Sequence, residues 1–358
     1  MLKKQAWHTD ANRVRGNRRH RHGTDASEAP ANDTAPASAA RPSGLARAWP
    51  GEAGTIVYVA LIALIAEAMN VPYVLFPELG ALSHDILKRP HGAWARAPLK
   101  LVITPVLAGV IGTLVTQHLR YGFVSVLLTI AGAILVIRIL RSPIAPAISA
   151  GFLPLALGIT SWLYAPSLLI GLGLLAALSL VWRGFAPLPA AAGSPRDVVD
   201  DLVEEAPHDY SWVPFFIAFL LVAVLLVKMI GWRYILFPPL VVIGFEMFAH
   251  AQVCPWARRP LVLPLACTLS AAAGVLLVVV VGHHPLAVAA SVVFAIGVLR
   301  AFDLHVPPVL AVGLLPFVIA KADYTFPLSV AIGTLLLTAV FFVWRKAAGS
   351  GVMNILRR

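Results

Sequence analysis

From about residue 54 onward, the chain alternates between long apolar runs and short breaks that contain proline, glycine or charged residues. Most runs approach the ~20 residues that an α-helix needs to cross a lipid bilayer, and they are too numerous for one buried core. The pattern predicts an all-α, polytopic transmembrane helical bundle with six segments in each half. The first six are 54–70, 72–87, 100–117, 121–138, 143–162 and 166–182, and the second six are 213–230, 234–250, 261–281, 285–300, 305–320 and 326–344.

The two halves carry the same motifs in the same order. Tyr73-Val-Leu-Phe-Pro77 returns as Tyr234-Ile-Leu-Phe-Pro238, and Trp94-Ala-Arg returns as Trp256-Ala-Arg. From the Trp-Ala-Arg motif onward the copies keep a constant spacing of about 162 residues, and such regularity indicates an internal duplication. Two similar apolar halves are common in secondary transporters, whose binding site lies at the interface between the repeats.

Composition supports a membrane protein and excludes a soluble domain. Hydrophobic residues make up 59% of the 358 residues, whereas charged residues make up only 13%. Soluble domains carry about 25% charged residues, which they need to cover a surface that faces water. The lipid bilayer is therefore the first predicted partner of this chain.

The distribution of charge predicts the orientation. Lysine and arginine gather at one end of the predicted segments, and cytoplasmic loops are enriched in both. Twelve spans then place both termini in the cytoplasm, in the plasma membrane (the inner membrane of a bacterium). The alternative is ten spans, with the 72–87 segment and its counterpart re-entrant and the repeats inverted.

The chain is predicted to divide into five parts. They are a disordered basic tail (1–50), a first membrane repeat (54–183), an acidic cytoplasmic linker (184–211), a second membrane repeat (212–346) and a short basic tail (347–358).

Motifs of enzymes and cofactor sites are absent from the sequence. It contains no Gly-rich phosphate loop, no His-Glu-x-x-His zinc motif and no Gly-x-Ser-x-Gly nucleophile turn. The two cysteines, Cys254 and Cys267, are not spaced as zinc ligands. We therefore expect no enzymatic activity, no cofactor and no bound metal. The short basic stretch in the first tail predicts a cytoplasmic anchor rather than a nucleic-acid partner.

Prolines interrupt corresponding segments in both halves. Phe76-Pro77-Glu78 and Phe237-Pro238-Pro239 lie in the second segments, while Ser142-Pro143 and His305-Val-Pro307 open the fifth segments. Proline removes a backbone N–H, so the carbonyl that loses its partner must be satisfied inside the protein or by water. Broken segments at corresponding positions indicate a transport site. The alternative is that these prolines only kink or begin helices.

Several charged residues are candidates for function. Glu78 lies in the middle of a segment, where ionisable side chains are rare and usually functional. Arg141 and Asp303 occupy the same position in the two halves with opposite charge, which predicts an ion pair that acts as a cytoplasmic gate. Asp85 and Glu246 lie at segment ends and are interpreted as interfacial anchors. The predicted substrate path contains Glu78, Gly80, Ser83, Arg141, Asp303, His305, Pro307 and Pro308.

The second half resembles the HPP family of integral membrane proteins. The resemblance rests on Arg300-Ala-Phe-Asp-Leu-His305-Val-Pro-Pro308 and on Gly313-Leu-Leu-Pro316, with Phe76-Pro77-Glu78-Leu79-Gly80-Ala81 in place of the family's Pro-Phe-Gly-Ala-Ser stretch. A valine separates His305 from the two prolines, whereas the family has them adjacent. The chain looks like two fused, divergent HPP-like domains over about residues 70–165 and 232–320. Some members of this family are associated with nitrite transport, so the resemblance implies a small-anion substrate.

The sequence thus favours a transporter or channel for a small solute, with its path at the interface of the repeats. The alternative is a membrane scaffold or regulator that binds a partner and transports nothing. A homo-oligomeric assembly is compatible with either function.

Overall fold

The computed structural model describes residues 44–185 and 210–349. The predicted basic tail up to residue 43, the linker 186–209 and the segment 350–358 lie outside the described residues. Within the described ranges the protein is all-helical, with twelve α-helices and no strand. The helices are α1 (Gly44–Met69), α2 (Glu78–Lys88), α3 (Pro98–His118), α4 (Phe123–Ile139), α5 (Ala147–Leu157), α6 (Tyr164–Phe185), α7 (Val213–Ile230), α8 (Pro238–Ala249), α9 (Val262–Val281), α10 (Pro285–Ala301), α11 (Pro308–Leu314) and α12 (Thr325–Gly349).

The helices fall into three length classes. Helices α1, α3, α6, α7, α9 and α12 are each long and apolar enough to cross a membrane. Helices α4 and α10 have 17 residues each, and α2, α5, α8 and α11 have only 7 to 12. The predicted all-helical fold is confirmed, and the six long apolar helices are compatible with the predicted membrane location.

Helix α1 begins earlier than the apolar pattern predicts, at Gly44 instead of residue 54. The added residues include Arg47, Pro50, Gly51 and Glu52, which interrupt the apolar run, and Gly51 packs against the end of α2. A Cβ atom on Gly51 would lie 2.7 Å from the carbonyl oxygen of Leu87, so only glycine fits at this contact. One turn later, the Thr55 hydroxyl donates to the Gly51 carbonyl oxygen. Contacts with residues distant in sequence therefore extend the helix beyond its apolar run.

The four short helices begin at prolines. Pro77, Pro146 and Pro307 are the residues immediately before α2, α5 and α11, and Pro238 is the first residue of α8. Proline suits the first turn of a helix because the N–H that it lacks would have no partner there. At ~1.5 Å per residue, an 11-residue helix is about 16 Å long, roughly half of a bilayer core. Non-helical chain or a 3₁₀ turn precedes each short helix where the sequence pattern predicts a continuous apolar segment.

Corresponding helices pack in corresponding ways. In the first half α3 contacts α4, α5 and α6, and in the second half α9 contacts α10, α11 and α12. Between the halves, α1 contacts α10 while α7 contacts α4. The short helices also meet across the halves, because α2 contacts α11 and α5 contacts α8. Each of these four contacts between the halves therefore has a counterpart with the halves exchanged.

Two glycine pairs allow the closest of these helix contacts. A Cβ atom on Gly112 in α3 would lie 1.9 Å from the carbonyl oxygen of Gly151 in α5. In the second half, a Cβ atom on Gly274 in α9 would lie 2.3 Å from the carbonyl oxygen of Gly313 in α11. Small residues let helix backbones approach closely in membrane proteins. Each short fifth helix is thus held tightly against its long neighbour.

Lysine and arginine collect at one end of the helices, which we call the basic end. There the Trp182 indole donates to the Leu87 carbonyl oxygen at 3.0 Å, and the Trp94 indole donates to the Pro143 carbonyl oxygen at 2.9 Å. At the other end, which we call the opposite end, the Gln117 amide donates to the Thr160 carbonyl oxygen. These bonds tie neighbouring helix ends together.

Candidate functional site

The four short helices α2, α5, α8 and α11 form the most deeply buried part of the described protein, and we call this region the central junction. Residues 78–87, 147–156, 238–248 and 308–314 are all buried. The contacts α2–α11 and α5–α8 link helices of the two halves, while α8 and α11 contact each other within the second half. The interface between the halves therefore passes through helices that are too short to span a bilayer alone.

Glu78 is the first residue of α2 and lies inside this junction. Its side chain is 0% exposed, and neither carboxyl oxygen has a hydrogen-bond partner among the described residues. The Ser149 hydroxyl of α5 faces the carboxyl group without completing a hydrogen bond. A buried, unpaired carboxylate is unfavourable by several kcal/mol or more, so the group resides here as the neutral acid or requires access to water.

Two further predicted path residues lie near Glu78 on α2. A Cβ atom on Gly80 would lie 2.6 Å from the Leu314 side chain of α11, so the absence of a side chain brings the two short helices together. Ser83 is fully buried, and its hydroxyl donates to the Gly80 carbonyl oxygen at 3.3 Å. Gly80 thus acts in packing, while the Ser83 hydroxyl is used within its own helix in this conformation.

Buried titratable groups continue from Glu78 toward the basic end. Glu246 on α8 is only 3% exposed and lies within electrostatic range of both Glu78 and Asp85. Asp85, on α2, forms an ion pair with Arg89 at 2.8 Å, and its carboxylate lies 4.0 Å from His305 Nε2. We call Glu78, Glu246, Asp85 and His305 the acidic column.

A second group of charges joins the two halves at the basic end. Arg300 of α10 forms an ion pair with Glu52 of α1, and Lys88 Nζ lies 4.0 Å from the same carboxylate. His84, buried on α2, lies within electrostatic range of Lys88, Arg300 and His305. This end of the interface is therefore held by charge pairing, unlike the apolar centre.

Part of this arrangement is not evident from the sequence. Asp85 and Glu246 were predicted to be interfacial anchors, but the structure buries both against neighbouring helices. His84 and Glu52 were not singled out at all. The available signal was the equivalence of Asp85 and Glu246, two acids retained at one position of both halves. Burial of Glu52 depends on Arg300, which lies in the other half, and no local pattern reveals that pairing.

Arg141 and Asp303 do not form the predicted ion pair in this conformation. Both side chains are exposed, and no ion pair between described residues connects them. Both have left-handed backbones, with φ values of 45° and 47°. Pro307 and Pro308 lie buried at the start of α11, and His305 is part-buried at the basic end. The structure thus brings the two prolines to the central junction with Glu78 and Gly80 and leaves Arg141 and Asp303 at the surface.

The opposite end contains an open cavity of about 470 Å³, lined by residues of the first half and by Arg233 of the second. Its basic groups are Arg120 and Arg233, and the Arg233 guanidinium lies 4.8 Å from the ring centre of Tyr121. Burial raises the pKa of the Tyr121 phenol well above its usual value, although the nearby Arg233 acts in the opposite direction. The lining residues are Thr116, Gln117, His118, Leu119, Arg120, Tyr121, Leu155, Gly158, Thr160 and Arg233.

Residues 44–185 and 210–349 contain no group of three or more His, Cys, Asp or Glu side chains that could hold a metal ion. Comparison of the chain with models of known protein families, with curated proteins and with solved structures finds no match.

Proposed function

We propose that this chain is a membrane transporter or channel for a small solute, with its path at the central junction. The observation that carries the proposal is Glu78, a buried carboxyl at the start of a half-length helix, with no hydrogen-bond partner in the part of the chain that the structure describes. Ionisable groups within transmembrane regions usually mark pathways for ions or substrates. Broken helices at the interface between repeats are the usual site of transport in secondary transporters.

The proposal includes an internal duplication with twelve membrane crossings and both termini in the cytoplasm of the plasma membrane. Helix contacts that recur with the halves exchanged support the duplication. Four of the predicted segments consist of a short helix and the non-helical or 3₁₀ residues before it. Such a segment is long enough to cross the membrane as a whole, which supports twelve crossings. The basic end then faces the cytoplasm, in agreement with the positive-inside rule. Transport would arise from movement of one half against the other.

A small anion is the favoured substrate. The cavity at the opposite end carries Arg120 and Arg233 and no carboxylate among its lining residues, so it would attract anions. The resemblance to the HPP family supports the same class, with nitrite as the first candidate. Anions entering there would approach the central junction from the side away from the cytoplasm.

Cysteine accessibility tests whether a path exists. Single cysteines at positions 78–84 and 305–312, in a background without Cys254 and Cys267, would react with a polar thiol reagent if water reaches the junction. A cysteine at Leu172, a fully buried residue of α6, is the matched control. Equal protection at the junction and at the control would contradict a path.

Uptake into proteoliposomes tests the substrate. We expect purified protein to take up nitrite or another small monovalent anion, and we expect replacement of both Arg120 and Arg233 by glutamine to raise the substrate concentration that is required. Absence of uptake for every small anion tested, together with protected cysteines, would favour the scaffold function instead.

A further inference from the structure

We propose that Glu78 is the proton-binding site that couples transport by this protein to the movement of protons. This inference rests on the proposed function and adds the identity of the coupling ion. In one state of the cycle Glu78 holds a proton as the neutral acid, and in the other state it releases that proton to water and becomes a carboxylate.

Most other buried acids of the described ranges are paired with a cation, whereas Glu78 is not. Glu52 is paired with Arg300, and Asp85 is paired with Arg89. Among the described residues, neither Glu78 nor Glu246 has such a cation, and each has at least one buried carboxyl oxygen without a hydrogen bond. A carboxyl group in this setting is neutral because an unpaired charge would remain without solvation. Glu78, the more completely enclosed of the two, therefore holds a proton while the junction is closed.

The position of Glu78 also suits the ionised state. It is the first residue of α2, where backbone N–H groups at the end of the helix favour a negative charge. The Ser149 hydroxyl faces the carboxyl group and can donate to it once the junction rearranges. The same residue can thus hold a proton in a closed state and lose it in a hydrated one.

The acidic column supplies a route for the proton. Glu246 lies within electrostatic range of both Glu78 and Asp85. Asp85 in turn lies 4.0 Å from His305, whose side chain is 30% exposed at the basic end. Carboxyl and imidazole groups in sequence are the usual components of proton relays in membrane proteins. Protons would therefore reach Glu78 from the basic end, whereas the anion-attracting cavity lies at the opposite end.

The groups near Glu78 favour a proton over a metal cation. Its titratable neighbours are Glu246 on α8 and Tyr164 at the start of α6, with Asp85 and His84 further along α2. The residue facing it from α5 is Ser149, which does not titrate. A bound sodium or calcium ion would need several oxygen ligands around one point, and the described residues provide no cluster of three acids or histidines.

The second half lacks an equivalent of Glu78. Pro239 occupies the corresponding position and is buried at the start of α8. A carboxyl at this position, the start of a short second helix, therefore occurs only in the first half, which predicts one coupled proton for each transport cycle.

Infrared titration tests proton binding without any substrate. We expect wild-type protein in lipid to show carbonyl absorption from buried protonated carboxyl groups, which disappears as the pH is raised. We expect Glu78→Gln to lose the part of this absorption that Glu78 contributes and to keep any part from Glu246. Glu67→Gln is the matched control, because Glu67 is exposed near the end of α1. A carbonyl absorption that is unchanged in Glu78→Gln would overturn the assignment.

Transport in proteoliposomes tests coupling separately, with the membrane potential clamped. A gradient of one pH unit can sustain about tenfold accumulation of a monovalent anion that moves with one proton. We expect wild type and Glu67→Gln to accumulate the anion, while Glu78→Gln exchanges it across the membrane but does not accumulate it. Accumulation by Glu78→Gln at the wild-type level would refute coupling through Glu78. A lack of both exchange and accumulation in the wild type would refute the proposed function itself, whatever the infrared result.

Discussion

The guanidinium of Arg300 lies 4.9 Å from the ring centre of Trp49 and also forms an ion pair with Glu52. At the corresponding place in the exchanged halves, the guanidinium of Arg138 lies 5.1 Å from the ring centre of Tyr210. Each contact joins the end of the fourth helix of one half, α10 or α4, to residues at or just before the start of the other half's first helix, α1 or α7. A carboxylate, that of Glu52, accompanies the arginine at only one of the two places.

We expect the ion pair between Arg300 and Glu52 to stabilise the fold more than the aromatic contact does. Because Glu52 is buried and Arg300 only partly exposed, a double-mutant cycle with alanine at both positions should give a coupling free energy of about 1–3 kcal/mol. Arg138→Ala is the control, with an expected loss of about 0.5–1 kcal/mol. Reversible unfolding in detergent measures these changes, and equal losses for the two arginines would contradict the expectation.

The glycine contacts between α3 and α5 and between α9 and α11 predict that one added methyl group at these glycines strongly lowers stability. Gly112→Ala and Gly274→Ala would overlap the carbonyl oxygens of Gly151 and Gly313. We expect each to lower the free energy of unfolding by about 1–3 kcal/mol or more. Gly173→Ala in α6 is the control, because nothing lies within 4 Å of the added Cβ atom. There the better helix propensity of alanine should stabilise the protein by about 0.5–1 kcal/mol. A neutral result at both Gly112 and Gly274 would show that the helices are less closely packed than described.

The left-handed backbone at Arg141 predicts a stabilising substitution. A φ value of 45° disfavours any residue with a Cβ atom by about 1–2 kcal/mol, and the Arg141 side chain forms no hydrogen bond or ion pair with described residues. We expect Arg141→Gly to raise the free energy of unfolding by about 0.5–1 kcal/mol, after allowing for the greater freedom of glycine in the unfolded chain. Gly231→Ala, at a φ value of 83°, should have the opposite effect. A loss of stability in Arg141→Gly would indicate that its side chain makes an interaction in another conformation.

The hydrogen bonds of the Asp323 carboxylate predict a contribution to the stability of the fold that depends on pH. Its carboxylate accepts hydrogen bonds from the Thr325 hydroxyl and backbone N–H at the start of α12, and these bonds hold its pKa below the usual value. The stabilisation is therefore complete above the unfolded-state pKa of about 3.9 and is lost as the pH falls through the lower folded-state pKa. Asp323→Ala should lower stability by about 1 kcal/mol at neutral pH, with a smaller deficit near pH 3.

Thermal unfolding in detergent across this pH range measures the effect of Asp323. Asp323→Asn is the control, since its amide oxygen can accept the same bonds without titrating. A deficit of Asp323→Ala that stays constant from neutral to acidic pH would show that the carboxylate charge contributes nothing.

The apolar runs predict most helix bounds closely, because runs of apolar residues must be removed from water whatever their partners. They do not predict the start of α1, since charged residues, proline and glycine interrupt the apolar run there, and Gly51 and Glu52 contact Leu87 and Arg300 from distant parts of the chain. The prolines are visible in the sequence, but whether Pro77 kinks a helix or begins one depends on how α2 meets α11. Glu78 stands out because it lies mid-segment. The burial of Glu246 depends on helices from both halves, so its position at a segment end predicts the wrong surroundings.

The pairing of short helices has a consequence for biosynthesis. Each short helix of one half is covered by a short helix of the other half, α2 by α11 and α5 by α8. When the ribosome has delivered only the first half, α2 and α5 still lack these partners, and the non-helical residues before them have backbone groups that lipid cannot satisfy. The first half is therefore expected to remain incompletely folded until the second half has been synthesised. A nascent chain that stops after α6 should be a target for membrane quality control rather than a stable domain.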